Sequence, residues 1–354
     1  MSDFLKVENL SVTYPARGRA RAVTGGAVAG GGIKRWFTRR SGAMVHAVNG
    51  VSLTIARGEI LGLVGESGCG KSTLGRAILG LTPASGGSVR FDNGDVLSLR
   101  DKAMMAYRRR AQMVFQDPFA SLNPRMTVFE TLAEVLTVHR LCTPAQLRPQ
   151  VMKLLDQVGL PAEFAHRKAR SLSGGQCQRI GIARALAVGA ELIIADEPIS
   201  ALDVSIQAQI LNLFSRLQRE RNLTIIFVSH DLGVVRYLCR RVAVMYLGRI
   251  VEEGPAEDVF AAPLHPYTQS LAAAIPQMSA EARLADEPLS GEPPSPLNLP
   301  DGCAFHPRCP HAMPHCLTGA PPAPRQHETR QVWCHLYPAI DGSPSNSLNG
   351  GEIR

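Results

Sequence analysis

A glycine-rich stretch near the start of the chain has the residue types and spacing that bind phosphate. Residues 65–73, GESGCGKST, fit the pattern G-x-x-x-x-G-K-[ST] between a predicted strand and a predicted helix. Backbone N–H groups of such a loop wrap around nucleotide phosphates, while its lysine neutralises β/γ charge and its serine hydroxyl reaches Mg²⁺. An incidental glycine turn would not explain this context. The predicted contacts are Gly65, Glu66, Ser67, Gly68, Cys69, Gly70, Lys71, Ser72 and Thr73.

Two adjacent carboxylates end an apolar segment further along the chain. In LIIADE, four apolar residues precede Asp196 and Glu197. The second acidic element of P-loop enzymes holds magnesium, which is the role predicted for Asp196, directly or through water. Glu197 would then face the attacking water as general base. Many buried strands end in acidic residues, so this prediction depends on the phosphate loop in the same chain.

Four of the eight cysteines lie near the end of the chain with the spacing C-x5-C-x6-C-x17-C. They are Cys303, Cys309, Cys316 and Cys334. The opening MSDFLKVENL lacks the features of a secretory signal, so we predict a cytosolic chain whose cysteines are thiols or metal ligands. Structural zinc takes four such ligands but usually shows paired C-x2–4-C knuckles, whereas thiolates spread along loops can surround a [4Fe–4S] cube. The spacing alone leaves Zn²⁺, an iron–sulfur cluster and unligated thiols open.

The formal net charge of +8 comes almost entirely from one segment. Residues 15–45 contain seven lysines and arginines, seven glycines and no acidic residue. A solvated surface loop is the default interpretation. Trp36 and Phe37, which lie among the cations, would also suit contact with anionic lipid headgroups or a membrane partner. No uncharged apolar run reaches the roughly 18 residues of a transmembrane helix.

The elements that must position these residues alternate along the chain. LKVENLSVTY, VSLTI and GEILGLVG are predicted strands, and KSTLGRAILGL is a predicted helix. Residues 117–190 are predicted to be mostly helical, and strands and helices alternate from residue 191 onward. This alternation predicts an α/β fold with a mainly parallel sheet covered by helices. Five prolines in residues 286–300 indicate a linker.

The segment LSGGQCQRIGIARAL, residues 172–186, resembles the signature of ATP-binding-cassette ATPases. Gln116 in VFQDP resembles the Q-loop glutamine of that family, SALD its D-loop, and His230 in VSHD its switch histidine. Tyr14 occupies the position of the aromatic ring under adenine. The resemblance covers residues 1–260 and implies the P-loop NTPase cassette fold, with a mainly parallel sheet core, an antiparallel β subdomain and a helical subdomain.

The same resemblance implies ATP and Mg²⁺ as cofactors and assigns roles to residues. It implies catalytic roles for Glu197, His230, Gln116 and Lys71, and magnesium contacts for Ser72, Gln116 and Asp196. A Ser-Gly-Gly turn that opens a helix presents free N–H groups and the positive helix end to an anion. In this family the turn faces the γ-phosphate bound by the other subunit. The residues that would complete the partner's site are Ser173, Gly174, Gly175 and Gln176.

A narrower resemblance concerns the transported solute. FQDPFASLNPRMTV, DEPISALDVSIQAQILNL and PLHPYTQSLAAAIP resemble ATPase subunits of oligopeptide and dipeptide importers, closest to the second ATPase of the heterodimeric pair. This implies a homologous ATPase partner, two membrane-spanning permease subunits, an extracytoplasmic solute-binding protein and a peripheral location on the cytoplasmic face of the membrane. The implied function is ATP hydrolysis coupled to peptide uptake. Related systems also import nickel chelates and oligosaccharides, so the solute itself stays open.

The importer resemblance also bears on the cysteines and on the rival functions. In these subunits the C-terminal tail carries a [4Fe–4S] cluster, which favours that cofactor over Zn²⁺. A role on nucleic acid is disfavoured, because no sustained heptad pattern is present and the cations lie in one glycine-rich loop. An exporter is disfavoured by the lack of fused membrane helices. The predicted organisation is a nucleotide-binding domain at 1–260, a helix and linker at 261–300, a small iron–sulfur domain without its own apolar core at 301–340, and a flexible tail at 341–354.

Overall fold

The computed structural model describes residues 3–16, 43–273 and 291–338. Most of the basic glycine-rich segment, residues 17–42, lies outside the described residues, as does the predicted tail at 341–354. The predictions for these two segments therefore stay predictions. No helix within the described ranges combines the length and the apolar character that a membrane crossing requires.

The described residues form twelve strands and nine α-helices. The strands are β1 (Asp3–Pro15), β2 (Met44–Ala56), β3 (Ile60–Val64), β4 (Gly86–Phe91), β5 (Gly94–Asp95), β6 (Ala111–Val114), β7 (Leu192–Asp196), β8 (Thr224–Ser229), β9 (Arg241–Tyr246), β10 (Arg249–Pro255), β11 (Arg325–His327) and β12 (Arg330–Val332). The helices are α1 (Lys71–Ile78), α2 (Asp101–Arg110), α3 (Val128–Val138), α4 (Pro144–Gln157), α5 (Gly174–Ala187), α6 (Val204–Arg221), α7 (Leu232–Leu238), α8 (Ala256–Ala261) and α9 (Pro266–Ala273).

Eight strands form one mixed sheet in the order β11-β12-β10-β9-β3-β8-β7-β6. The four pairs from β9 to β6 are parallel, as predicted, and the three pairs at the other edge are antiparallel. Strands β3, β7 and β8 are buried along their whole length. Side chains of β3 alternate between two apolar clusters, with Ile60 and Val64 in one and Leu61 and Leu63 in the other. Both faces of this part of the sheet are therefore covered, as parallel sheets require.

The second sheet is antiparallel, with the strand order β2-β1-β4-β5. Helix α1 lies between the two sheets, because it contacts β1 and β2 on one side and β7 and β8 on the other. Its buried Leu74 and Ile78 share an apolar cluster with Leu5 and Ile55 of the second sheet. The phosphate loop at the start of α1 is thus held from two sides.

The region between β6 and β7 is helical, as predicted. Helices α3, α4 and α5 pack on one another and share buried residues such as Leu132, Val151 and Ile180. A capping box starts α3: the Thr127 hydroxyl accepts a bond from the Glu130 N–H at 3.1 Å, and the Glu130 carboxylate accepts one from the Thr127 N–H at 2.7 Å. This insertion begins just after Gln116 and ends at the signature-like helix α5.

The cysteine-bearing segment is joined to the larger sheet. Strand β12 pairs with β10, and the Trp333 N–H donates to the Val251 carbonyl at 2.9 Å. Phe305 is 1% exposed, and its ring lies 5.2 Å from that of Tyr246 and 5.5 Å from that of Tyr267. The segment therefore places its largest buried apolar residue in the core of the nucleotide-binding part.

Candidate active site

The phosphate loop follows β3 directly, and its backbone requires glycine at two close approaches. Gly70 has φ 107°, and a Cβ there would collide with the carbonyl oxygen of Ala47. Gly65 has φ 151°, and a Cβ there would collide with the carbonyl oxygen of Met245 in β9. Larger residues at either position would push the loop away from the sheet edge, so the glycines allow its tight path.

Lys71 is bound by the loop that precedes it. Its Nζ donates to the carbonyl oxygens of Gly65 at 2.7 Å and Glu66 at 3.0 Å, and lies 3.8 Å from the Cys69 sulfur. Burial raises the pKa of the Cys69 thiol, which keeps that neighbour neutral. Lys71 is 4% exposed, and its three neighbours stabilise the ammonium through dipoles and carry no negative charge. Its full positive charge is thus available to an anion held by the loop.

Ser72 and Asp196 bring two oxygen ligands together. The Ser72 hydroxyl donates to Asp196 Oδ1 at 2.7 Å, which joins the start of α1 to the end of β7. Burial raises the pKa of the Asp196 carboxyl, and the Ser72 hydrogen bond opposes that shift. Hydroxyl and carboxylate oxygens are the hard ligands that Mg²⁺ prefers. The pair has the chemistry expected of a magnesium site beside the phosphate loop.

Glu197 lies at the meeting point of three strand ends. Its carboxylate accepts a hydrogen bond from Gln116 Nε2 at 3.0 Å, and its Oε2 lies 3.4 Å from His230 Nδ1. Its backbone has φ 45° and donates from its N–H to the Val228 carbonyl at 3.0 Å. Gln116 follows β6, Glu197 follows β7 and His230 follows β8, so the parallel pairing of these strands brings the three side chains together. The structure thus brings Gln116, Glu197 and His230 together at one edge of the sheet.

The turn that carries His230 is held by local hydrogen bonds. The Asp231 N–H donates to the Ser229 hydroxyl at 2.9 Å, and the Asp231 carboxylate caps α7 by accepting from the Val234 N–H at 3.1 Å. The imidazole itself is 55% exposed, whereas the Glu197 side chain is 14% exposed. The backbone at this position is therefore fixed while the ring stays accessible to a ligand.

The signature-like turn and Tyr14 lie apart from these contacts. Ser173 caps α5 in a capping box with Gln176, whose Oε1 accepts from the Ser173 N–H at 2.9 Å. In the part of the chain that the structure describes, no hydrogen bond or ion pair joins this turn to residues 65–73. Tyr14, near the end of β1, is half-buried against the cluster below the second sheet. Within one chain, the signature-like turn therefore adds no such contact to the phosphate loop.

The four C-terminal cysteines line one small cavity, together with His306, His311 and His335. Among the described residues, however, no group of three or more His, Cys, Asp or Glu side chains is placed to hold a metal ion. The predicted metal-binding extension is therefore not shown. Burial raises the pKa of the Cys303 thiol to about 11 and also raises the pKa values of Cys309 and Cys334. The thiols of Cys303, Cys309 and Cys334 would therefore bind a metal ion as thiolates only if its positive charge compensates for their burial.

Two residues that contact the phosphate loop were not predicted from the sequence. The Tyr267 hydroxyl accepts a hydrogen bond from the Glu66 N–H at 2.8 Å, and the Arg308 guanidinium pairs with the Glu66 carboxylate. Neither belongs to a motif of the phosphate loop. The one signal in the sequence was the presence of Tyr267 in the importer-like segment PLHPYTQSLAAAIP.

Comparison with known proteins agrees with this geometry. Residues 48–200 match the family model described as ABC transporter, and residues 251–316 match that of the oligopeptide/dipeptide transporter C-terminal region. The chain is 48% identical over 314 residues to the oligopeptide transport ATP-binding protein AppF of Bacillus subtilis, covering 86% of this chain and 95% of that protein.

Solved structures share the fold. The structure of cbiO1 from Clostridium perfringens, part of the ABC transporter complex cbiONQ, has a TM-score of 0.60 and 28% identity, covering 74% of this chain and 92% of that one. The ATP-binding cassette MJ0796, in a dimeric post-hydrolysis state bound to ADP and Pi, has a TM-score of 0.58 and 29% identity, covering 71% and 98%. The resemblance that the motifs indicated is thereby confirmed. The chain belongs to the ATP-binding proteins of the oligopeptide/dipeptide type of ABC transporter.

Proposed function

We propose that this chain hydrolyses ATP to drive the uptake of peptides through membrane partners, as the second ATPase of a heterodimeric pair. The observation that carries the proposal is the Glu197 carboxylate, bound by Gln116 and close to His230, beside the Ser72–Asp196 pair. This arrangement suits the attack of a water on the terminal phosphate of a bound nucleotide.

The proposed role of each side chain at this site follows from its chemistry. Lys71 would neutralise β/γ-phosphate charge, and Ser72, Asp196 and Gln116 are the residues that would hold Mg²⁺ through their oxygens. Glu197 takes the proton of the attacking water, which is a general base's part in hydrolysis. His230, whose ring is exposed, donates to the γ-phosphate and stabilises the charge that develops on it. Tyr14 stacks under the adenine ring.

A second, homologous ATPase is needed to complete each site. The turn Ser173–Gln176 opens helix α5 and makes its side-chain hydrogen bonds within its own capping box. Its backbone N–H groups and the positive end of α5 suit an anion from another chain. The residues at this turn, including Gly174 and Gly175, would therefore contact the γ-phosphate bound by the partner.

The membrane partners are two permease subunits, supplied with solute by an extracytoplasmic binding protein. Phe115 and Phe119 flank Gln116 in sequence and are 44% and 53% exposed. Phe115 lines a groove together with residues of β6, α3 and α5. Exposed apolar side chains next to a groove suit a docking helix. Such docking would place the chain peripherally on the cytoplasmic face of the membrane and couple it to Gln116.

The transport proposal can be tested in proteoliposomes. The permeases, the partner ATPase and this chain are reconstituted, with ATP on the side of this chain and binding protein plus labelled peptides on the other. We expect peptide uptake with ATP and none with ADP. Replacing the peptides with nickel chelates or oligosaccharides is the matched control. Uptake of a control solute without peptide uptake would contradict the proposed solute.

We further propose that Cys303, Cys309, Cys316 and Cys334 hold a [4Fe–4S] cluster. Four thiols that line one cavity support it, as does the match of residues 251–316 to the oligopeptide/dipeptide C-terminal region. When bound, such a cluster would keep the thiols deprotonated and stabilise this segment. Zn²⁺ is the alternative ligand.

Metal analysis with an absorption spectrum on anaerobically purified protein distinguishes these cofactors. We expect a brown protein with about four irons per chain. The irons should be lost in Cys309→Ser and kept in Cys142→Ser, whose cysteine lies outside the C-terminal cavity. A colourless protein with one zinc per chain would contradict the cluster.

A further inference from the structure

The phosphate loop has an ion pair with a residue 242 positions away in the chain. Arg308 Nη1 donates to Glu66 Oε2 at 2.9 Å, and Nη2 donates to Glu66 Oε1 at 3.1 Å. The Arg308 side chain is 5% exposed and that of Glu66 is 27% exposed. Such a bidentate, largely buried pair has a defined orientation, unlike an exposed surface pair.

Arg308 is fixed by its own surroundings. Its N–H donates to the Phe305 carbonyl at 3.0 Å, and its guanidinium lies 5.9 Å from the centre of the Tyr246 ring. Phe305 packs on Tyr246, which follows Met245, the residue whose carbonyl limits the space at Gly65. The guanidinium is thus anchored on the strand that borders the loop, and it can fix the position of Glu66.

Glu66 is held at three points. Arg308 binds its carboxylate, the Tyr267 hydroxyl accepts from its N–H, and its carbonyl accepts from Lys71 Nζ. The position of Glu66 therefore affects the position of the Lys71 ammonium. The Glu66 charge also lies in a loop that would bind anions, so an unpaired carboxylate there would repel phosphate.

We infer that Arg308 is a positioning residue for nucleotide binding, acting through Glu66. It fixes the loop that carries Lys71 and offsets the negative charge of the Glu66 carboxylate. The C-terminal segment that bears the cysteines is thereby part of the nucleotide site. The inference rests on the proposed role of residues 65–73 in binding ATP.

The test is a titration of the full-length chain with a fluorescent ATP analogue that reports both Kd and binding sites per chain. We expect Arg308→Gln to raise Kd about tenfold, within the usual range of coupling between sites. Arg308→Lys, which keeps the charge but loses the bidentate pair, should show a smaller rise. Arg325→Gln, in the same segment and without an ion pair among the described residues, is the matched control and should leave Kd unchanged.

A double-mutant cycle shows whether Arg308 acts through Glu66. The variant with both Arg308→Gln and Glu66→Gln should bind no more weakly than Arg308→Gln alone, because the unpaired carboxylate is gone. Effects that add would overturn the inference. So would fewer sites per chain at unchanged Kd, which is the mark of a structural role only. If the unmodified chain binds no ATP, the proposed function fails; if it binds and Arg308 has no effect on Kd, only this inference fails.

Discussion

Glu197→Gln should lower ATP hydrolysis by the assembled transporter by about 10²–10⁴-fold, the usual contribution of a general base, when the site of the proposed partner ATPase is disabled in both the variant and its parent. Glutamine keeps the size of the side chain and leaves the Ser72–Asp196 pair in place, but it cannot take the proton of the attacking water. ATP should therefore still bind. Steady-state phosphate release and nucleotide binding, measured on the same preparation, give the two quantities.

The control for this variant is Glu220→Gln, an exposed glutamate on α6, which should hydrolyse ATP at the parental rate. The proposed partner ATPase would have a site of its own, so its corresponding glutamate is also replaced, in the variant and in the parent. With that second site disabled, hydrolysis by Glu197→Gln at the rate of the unmodified chain would show that Glu197 is not the general base.

His230→Ala should reduce turnover by about 10²-fold, as the loss of one transition-state hydrogen-bond donor typically does. Because the backbone of its turn is held by Ser229 and Asp231 and not by the imidazole, the site should keep its shape. ATP affinity should stay within a few-fold, and kcat should carry the loss. Separate measurement of kcat and of ATP Kd checks this.

His166→Ala replaces an exposed histidine of the helical region and serves as the matched control, with kcat unchanged. Turnover of His230→Ala equal to that of the control would exclude a role for His230 in hydrolysis. A joint loss of ATP binding and turnover, with a lower Tm, would indicate misfolding instead of a missing donor.

The phosphate loop and the carboxylates of Asp196 and Glu197 could be predicted because each depends on residues close together in sequence. A glycine-rich turn between a buried strand and a helix can be identified from residues that are adjacent in sequence. The apolar residues of β7 likewise predict a buried strand, and Asp196 lies at its end. The meeting of Glu197 with His230 follows from parallel pairing, which the alternation of strands and helices implies.

The contacts around Glu66 could not be predicted in this way. Arg308 and Tyr267 are far from Glu66 in sequence, and sequence periodicity does not predict contacts between such distant residues. The antiparallel edge of the large sheet was missed for a related reason. Strand β12 has three residues, too few for an alternating pattern, and it is stabilised by pairing with β10.

In the proposed ATP-bound state, the terminal phosphate lies among the side chains of Lys71, Ser72, Asp196, Glu197 and His230. The most direct test is a cryo-EM structure of the assembled transporter carrying Glu197→Gln, with Mg²⁺ and ATP. We expect the β- and γ-phosphates inside loop 65–73, Mg²⁺ beside the Ser72 and Asp196 oxygens, and the side chain at position 197 facing the γ-phosphate. The turn Ser173–Gln176 should lie against the partner's nucleotide. A nucleotide bound away from Lys71, or a side chain at position 197 directed away from the γ-phosphate, would contradict it.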